Sequence, residues 1–362
     1  MSAGRPHRAP SARHRARRFS FASRAPGQHG PRRMRTERLA ADAASIARAA
    51  EILRRGGLVA FPTETVYGLG ARADDARAAR GIFEAKGRPP GNPLIVHVPD
   101  VASARALADG WPADAERLAQ AMWPGPLTLI VARRPDRVAG VVAAGGPTVA
   151  IRVPVHPIAR ALLDAVGLPI AAPSANRSTE ISPTTAEHVE KSLGGRIDAI
   201  LDGGPTAVGI ESTIVDVTRS PARVLRPGHV TAEAIAALVP VQAAAGLVTA
   251  PAERAPSPGT HARHYAPRAQ VALVPAHAVR GELDRAAQAG SRAGAVEYGS
   301  RTATGPHAEL LPGDPAGYAA ALYAALHRLE DAGCDVIVIA AVPEDPAWDA
   351  VRDRLTRASA TP

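Results

Sequence analysis

Short apolar runs alternate with helix-like segments along most of this chain, and the alternation limits the folds available to it. Apolar runs predict strands at 58–61, 93–98, 127–132, 148–153, 169–172, 199–201 and 213–217. Helical periodicity with capping residues predicts helices between several of them, at 41–55, 74–85, 156–166 and 185–193. Such alternation favours an α/β fold, in which helices cover the faces of a sheet.

The alternation of predicted strands and helices is interrupted once, by a segment that separates two predicted domains. Residues 238–268 are rich in Ala, Gly and Pro and predict an interdomain linker between a domain at 37–237 and a smaller one at 269–362. The second domain has its own predicted strands and helices, two of which begin at Asp-Pro pairs. It resembles a small Rossmann-like α/β unit without the glycine fingerprint of dinucleotide-binding proteins, so no organic cofactor is expected.

The net charge of +9 is concentrated in one segment. Residues 1–33 contain nine arginines and no acidic residue, so the remaining residues are neutral overall and favour at most weak contact with RNA. Composition predicts that residues 1–36 form a disordered, Arg-rich extension. A transit peptide, a nucleic-acid arm and a natural start at Met34 all stay open, and we expect a dispensable tail.

Two further features narrow the class of protein. No apolar run is long enough to cross a bilayer and none has the form of a secretory signal, so we expect a cytoplasmic protein without membrane contact. The single cysteine, Cys334, lies in a predicted buried strand, which excludes an internal disulfide framework and favours an inert core thiol.

The stretch FPTETVYGLG, at 61–70, interrupts a predicted strand with polar residues. As a turn between a strand and a helix, it would use Thr63 and Thr65 to satisfy nearby backbone groups and Gly70 to adopt a positive φ angle. Its glycines match neither the P-loop nor the dinucleotide fingerprint. Turn formation and ligand binding both stay open for this stretch.

The stretch AKGRPPGNPLIVH, at 85–97, combines two cations, a carboxamide and three prolines. Lys86 and Arg88 would interact favourably with a helix C-terminus, but together with Asn92 they are typical of phosphate binding. The chain has only one other lysine, Lys191, which suggests that a compact ammonium group is required at 86. We expect the side chains of Lys86 and Arg88 to face solvent or ligand.

Further polar residues lie inside or at the ends of predicted strands. Arg152 lies within a strand and requires a partner, either an acidic side chain or a ligand carboxylate. Ser174 and Asn176 follow a strand, at the edge where open α/β sheets bind ligands. Ser212 immediately precedes a strand, and Arg226 follows one.

Taken in order, these stretches resemble the threonylcarbamoyl-AMP synthases in their two-domain form. The matching stretches, between 41 and 267, are FPTETVYGLGA, KGRPPGNPLIVH, WPGPLTLIV, VAIRVPVHP, IAAPSAN, SPT, GIESTIVD, LRPG and HYAP. The residues DPAWDAVRDRLTRAS resemble the accessory domain of that family more loosely. The resemblance implies a catalytic domain with a twisted, open mixed sheet and helices, followed by the smaller Rossmann-like domain.

The family condenses L-threonine, bicarbonate and ATP into L-threonylcarbamoyladenylate and pyrophosphate, so the resemblance implies a nucleotidyltransferase. Mg²⁺ would accompany ATP, and protein side chains would supply no metal ligands. Partner proteins of the threonylcarbamoyl transferase complex would use the product to form N6-threonylcarbamoyladenosine in tRNA.

The resemblance also implies roles for individual residues. Those around L-threonine would be Thr65, His97, Arg152, Ala172 and Ser212. Those around ATP would be Lys86, Arg88, Asn92, Thr148, Ser174, Ser182, Arg226 and Tyr265. Lys86, Arg88, Ser174 and Asn176 would carry catalysis.

One stretch departs from the family pattern, and two other functions stay open. The linker reads SPGTHARHYAP where the family usually has SPGMKYRHYAP, so Thr260, His261 and Ala262 replace Met, Lys and Tyr. This difference predicts weaker or differently timed closure over the ligand. The alternatives are another carbamoyl-adenylate-forming enzyme, although the zinc-finger cysteines of hydrogenase-maturation carbamoyltransferases do not occur here, and a non-catalytic RNA-binding or ribosome-maturation factor.

Overall fold

The computed structural model describes Met1 and residues 35–242, 264–299 and 304–360. Nearly all of the predicted Arg-rich extension, and the divergent linker residues Thr260, His261 and Ala262, lie outside the described residues. All features discussed below belong to the unit Met34–Pro362.

An 11-stranded mixed sheet forms the N-terminal part of this unit. Its strands are β1 (Glu37–Leu39), β2 (Val59–Phe61), β3 (Gly68–Arg72), β4 (Ile95–His97), β5 (Leu127–Ala132), β6 (Thr148–Arg152), β7 (Ile170–Ala171), β8 (Ala199–Leu201), β9 (Thr213–Asp216), β10 (Ala222–Arg226) and β11 (Val241–Gln242). They are hydrogen-bonded in the order β1-β8-β2-β3-β7-β4-β6-β5-β9-β10-β11, with both parallel and antiparallel neighbours. The predicted mixed α/β sheet is therefore confirmed.

Helices cover both faces of this sheet. They are α1 (Ala43–Arg54), α2 (Ala76–Lys86), α3 (Val101–Ala106), α4 (Ala113–Met122), α5 (Pro157–Val166), α6 (Ala186–Leu193) and α7 (Ala232–Ala236). Successive residues of a strand point to opposite faces, so Val59 and Phe61 pack with α1 and α5, whereas Ala60 belongs to the core that contains α2 and α4.

The stretch after β2 connects two antiparallel strands instead of leading directly into a helix. β3 pairs with β2, so that Gly68 lies opposite Phe61 and Gly70 lies opposite Val59. The predicted positive φ at Gly70 is wrong, because this glycine has ordinary strand geometry. A Cβ atom at Gly70 would lie 2.9 Å from Cε1 of Phe61, so glycine serves close packing at this position.

A second sheet, of four parallel strands, forms the C-terminal part of the described chain. Its strands are β12 (Gln270–Val274), β13 (Ala293–Tyr298), β14 (Ala308–Leu311) and β15 (Val336–Ala340), in the order β12-β15-β13-β14. Helices α8 (Val279–Gln288), α9 (Pro315–Asp331) and α10 (Asp349–Ser359) follow β12, β14 and β15. This arrangement confirms the smaller α/β domain, in which Cys334 is buried as predicted but precedes strand β15 instead of lying within it.

The two sheets are joined by a shared core. Ile181 and Ile210, from loops of the larger sheet, pack with Tyr265 and with Leu322 and Leu326 of α9. The predicted linker contributes to both sides: its start forms β11, which pairs with β10, and its end carries Tyr265. Among the described helices, none is both long and apolar enough to span a bilayer.

Candidate active site

A cavity of about 40 Å³ is lined by segments that flank β2, β4, β6, β7, β9 and β10. Most of the predicted site residues line it, namely Thr65, Arg88, His97, Arg152, Ala172, Ser174, Ser212, Arg226 and Tyr265. The other lining residues were not predicted and are Thr63, Val66, Gly68, Ile95, Pro173, Glu211 and His264. Each lies within a motif quoted above, so adjacency to a predicted residue was the available signal.

Arg152 at the end of β6 has an acidic partner within the protein. Its Nη2 lies 2.6 Å from Oε1 of Glu64, and its Nη1 donates a hydrogen bond of 2.9 Å to Oγ1 of Thr65. Burial raises the pKa of Glu64, but the adjacent guanidinium outweighs burial and leaves that pKa below its ordinary value. The buried charge is thus compensated in the absence of a ligand.

Neutral polar groups surround Arg152. His97 lies opposite Arg152 in the β4–β6 pairing, and burial together with the Arg152 charge lowers its pKa to about 3, so its imidazole is neutral near pH 7. The hydroxyls of Thr63 and Thr65 are 2.8 Å apart, and Ser212 Oγ is 2.8 Å from the hydroxyl of Thr128. This part of the cavity can hold a carboxylate and a hydroxyl group.

Two more guanidinium groups line the same cavity. Arg88 donates to the carbonyl oxygens of Asn92 and Pro93, at 3.1 and 2.8 Å, and Arg226 donates to the carbonyl oxygen of Ser212 at 2.9 Å. Burial lowers the pKa of both groups, and the charge of Arg226 lowers that of Arg88 further. Buried cations whose pKa is lowered in this way are stabilised by a bound anion.

Lys86 lies behind the cavity wall, so the expectation that its side chain faces solvent or ligand is wrong as regards solvent. Its side chain is 2% exposed, and its Nζ donates to the carbonyl oxygens of Ser174, at 2.5 Å, and of Asn176. Arg88 is also buried, although it does line the cavity. Lys86 therefore holds the segment that carries Ser174 and Asn176, and its contact with ATP stays a prediction.

The remaining predicted residues lie outside the lining. Asn176 donates from Nδ2 to the carbonyl oxygens of Arg177 and Glu180, and the side-chain carboxamide of Asn92 has no hydrogen-bond partner among the described residues. Thr148 begins β6, opposite Ala132. Ser182 donates a hydrogen bond of 2.5 Å to Oε1 of Glu211. Contacts of these residues with ATP stay predictions.

A larger cavity, of about 570 Å³, lies between residues 227–232 and the starts of α9 and α10. None of the predicted site residues lines it. Within the described part of the chain, no group of three or more His, Cys, Asp or Glu side chains is arranged to hold a metal ion. The smaller cavity is therefore the candidate active site.

The chain matches two family models and several related proteins. The model described as "Telomere recombination" matches residues 51–228, and "Threonylcarbamoyl-AMP synthase, C-terminal domain" matches residues 230–360. Threonylcarbamoyl-AMP synthases of Bacillus subtilis and Pyrococcus abyssi are each 41% identical to it, over 90% and 86% of this chain and 95% and 93% of their own. The crystal structure of Pyrococcus abyssi Sua5 complexed with L-threonine has a TM-score of 0.82 at 37% identity, covering 90% of this chain and 97% of that one. The chain therefore belongs to the threonylcarbamoyl-AMP synthase family.

Proposed function

We propose that this protein condenses L-threonine, bicarbonate and ATP into L-threonylcarbamoyladenylate and pyrophosphate. One observation carries the proposal: a single cavity brings together three buried guanidinium groups, those of Arg88, Arg152 and Arg226. Glu64 compensates the charge of Arg152, whereas Arg88 and Arg226 are buried cations with lowered pKa values, which bound anions would stabilise. A threonine carboxylate and the phosphates of ATP would supply such anions.

The surroundings of each guanidinium group support two subsites in the cavity, one for threonine and one for the phosphates of ATP. Arg152 lies beside His97 and the hydroxyl of Thr65, groups that suit the carboxylate and hydroxyl of threonine. Arg88 and Arg226, with Ser174, would hold the phosphates. The volume of about 40 Å³ is small beside the roughly 300–1,000 Å³ of typical ligand pockets.

The chemistry requires positioning and positive charge more than a protein nucleophile. The threonine amine attacks the carbon of bicarbonate, water is released, and a carbamate forms. A carbamate oxygen then attacks the α-phosphorus of ATP, and the bond from that phosphorus to the bridging oxygen of pyrophosphate breaks. Buried guanidinium groups stabilise the negative charge on the phosphoryl oxygens in this transition state.

Mg²⁺ would enter with ATP and supply further positive charge on the triphosphate. Glu211 supplies a carboxylate to the cavity wall, but it already accepts hydrogen bonds from Ser182, Tyr323 and Arg354. It is therefore poorly placed to bind a metal ion, and the oxygens of the triphosphate and water would hold the Mg²⁺.

The product is a mixed anhydride, which hydrolyses readily unless it is consumed. Partner proteins that transfer the threonylcarbamoyl group to tRNA adenosine would consume it, and we place this reaction in the cytoplasm. The partners are inferred from the chemistry of the product.

The proposal is tested by measuring pyrophosphate release from ATP by the purified full-length chain. Threonine and bicarbonate are each supplied or omitted in the presence of Mg²⁺. Release that requires both substrates is expected. Release that needs bicarbonate but not threonine would instead favour another carbamoyl acceptor, and no release from folded protein would favour the non-catalytic RNA-binding alternative.

A further inference from the structure

Glu211 places a buried carboxylate in the wall of the cavity that contains Arg88 and Arg226. It is 6% exposed and immediately precedes Ser212, another lining residue. In a poorly hydrated site, a carboxylate repels the phosphates of a nucleotide and competes with them for nearby cations. A site for ATP therefore needs a device that neutralises this carboxylate.

A cation from the C-terminal domain neutralises Glu211. Arg354, in α10, has a fully buried side chain, and its Nε donates a hydrogen bond of 2.8 Å to Oε2 of Glu211. Tyr323 of α9 donates to the same oxygen at 3.1 Å, and Ser182 donates to the other at 2.5 Å. Of these three donors, Arg354 and Tyr323 come from the smaller domain.

Arg354 also contacts two other segments of the cavity wall. Its Nη1 donates to the carbonyl oxygen of Pro227, the residue after Arg226, at 3.1 Å. Its guanidinium carbon lies 5.1 Å from the centre of the Tyr265 ring, at a distance suited to a cation–π contact. Asp353 accepts from Nη1 at 2.6 Å and fixes the orientation of the guanidinium.

We propose that Arg354 is a positioning residue for nucleotide binding, through which the C-terminal domain neutralises Glu211 and aligns Arg226 and Tyr265. The inference rests on the proposed function, since it assumes that phosphates occupy this part of the cavity. Without Arg354, the Glu211 carboxylate would repel phosphate or turn toward Arg226 and occupy the cation that ATP requires. Threonine binding beside Arg152 would be less affected.

The test compares variants of the full-length chain for binding of a Mg²⁺ complex of a non-hydrolysable ATP analogue, measured by calorimetry. R354Q should weaken binding by at least about tenfold, because it leaves a buried carboxylate uncompensated. R354Q/E211Q, which removes both charges, should return the Kd to within about threefold of the wild-type value. R352Q is the control, because Arg352 also lies in α10 but pairs with Asp349 and not with Asp353, and it should keep the wild-type Kd.

Kinetics and stability separate positioning from a general loss of structure. In R354Q the KM for ATP should rise by about the same factor as the Kd, while the KM for threonine stays within about twofold. R354K, which keeps the charge, should bind more tightly than R354Q. Thermal unfolding of every variant shows whether it is folded.

Two results would overturn the proposal: wild-type nucleotide affinity in folded R354Q, or a double variant that binds no better than R354Q. If R354Q does not fold, the double variant R354Q/E211Q provides the test. Weak nucleotide binding by the folded double variant would reject the proposal that Arg354 acts by neutralising Glu211. The binding assay does not require turnover. A wild-type protein that binds the analogue but releases no pyrophosphate would refute the proposed reaction and leave the role of Arg354 measurable.

Discussion

Arg152 and Glu64 form an ion pair inside the protein, with 2.6 Å between Nη2 and Oε1. The side chains are 4% and 8% exposed, so water does little to screen the pair. Removing one partner of such a pair leaves an uncompensated buried charge, whereas removing both is far less costly. The two effects of Arg152, on stability and on threonine binding, can therefore be separated.

We predict that Arg152→Ala raises the KM for threonine at least about tenfold more than the KM for ATP, and lowers the free energy of unfolding by about 3–5 kcal/mol. The double variant R152M/E64Q should recover most of the stability but not the use of threonine. Urea denaturation and initial-rate kinetics measure the two quantities. A larger effect on the KM for ATP would instead assign Arg152 to the binding of ATP.

Lys86 and Lys191 offer a matched comparison of a buried and a half-exposed lysine. Lys86→Met should destabilise the protein by about 3 kcal/mol, because the buried carbonyl oxygens of Ser174 and Asn176 lose their hydrogen-bond donor. It should also weaken ATP binding by displacing Ser174. Lys191 pairs with Asp331, and its change to Met should lower the free energy of unfolding by less than about 1 kcal/mol. Equal losses in denaturant titrations would contradict the structural role of Lys86.

Most of the fold and much of the site could be predicted from sequence because they depend on local pattern. Strand β5, for example, was predicted with the observed bounds, since its apolar run is bounded by turn residues on both sides. Other elements depend on tertiary packing and could not be predicted from the local pattern. β3 follows a polar turn and contains two glycines, which are poor strand formers, and it exists because β2 and β7 pair with it.

The site shows the same division between local pattern and distant contact. Arg152 was recognised as a buried charge in a strand, but the choice of Glu64 as its partner depends on how the turn after β2 folds back. Arg354 carries no local signal, because an arginine in a helix of mixed polarity is ordinary. Its proximity to Glu211, 143 positions away, follows from the docking of two domains.

The stability of the protein should fall below pH 6.5 in part because of His97. Burial lowers the pKa of His97 to about 3 in the folded protein, while the unfolded chain has the ordinary value of about 6.5. Between these values the unfolded chain binds a proton that the folded protein excludes, so the free energy of unfolding decreases as the pH falls. From pH 7 to pH 5 the contribution of His97 is about 2 kcal/mol.

His97→Gln should therefore flatten the pH dependence of the free energy of unfolding between pH 5 and 7. The exposed His229, changed to Gln, provides the control and should keep the wild-type slope. Denaturant titrations at several pH values measure both slopes. An unchanged slope in the His97 variant would contradict a neutral, buried imidazole.

Removal of residues 1–33 should leave pyrophosphate release at the wild-type rate. The family match begins at residue 51, and every residue that lines the candidate site lies beyond it. Removal of residues 1–39 is the informative control, because it also deletes β1, which pairs with β8, and should lower the thermal midpoint. A large loss of activity in the shorter truncation, with its thermal midpoint unchanged, would assign the arginine-rich segment a role in catalysis.

Gly228 should be intolerant of substitution because it packs directly behind Ser212. A Cβ atom at Gly228 would lie 2.4 Å from the backbone nitrogen of Thr213 and 2.6 Å from the carbonyl carbon of Ser212. These are backbone atoms at the start of β9, so they can make room for a Cβ atom only if Ser212 itself is displaced.

We expect Gly228→Ala to lower the free energy of unfolding by at least about 2 kcal/mol and to raise the KM for threonine. Gly140→Ala is the control, since a Cβ atom there meets nothing within 4 Å, and its thermal midpoint and kinetics should match those of the wild type. A Gly228→Ala variant with wild-type stability and KM would contradict the prediction that a Cβ atom at this position displaces Ser212.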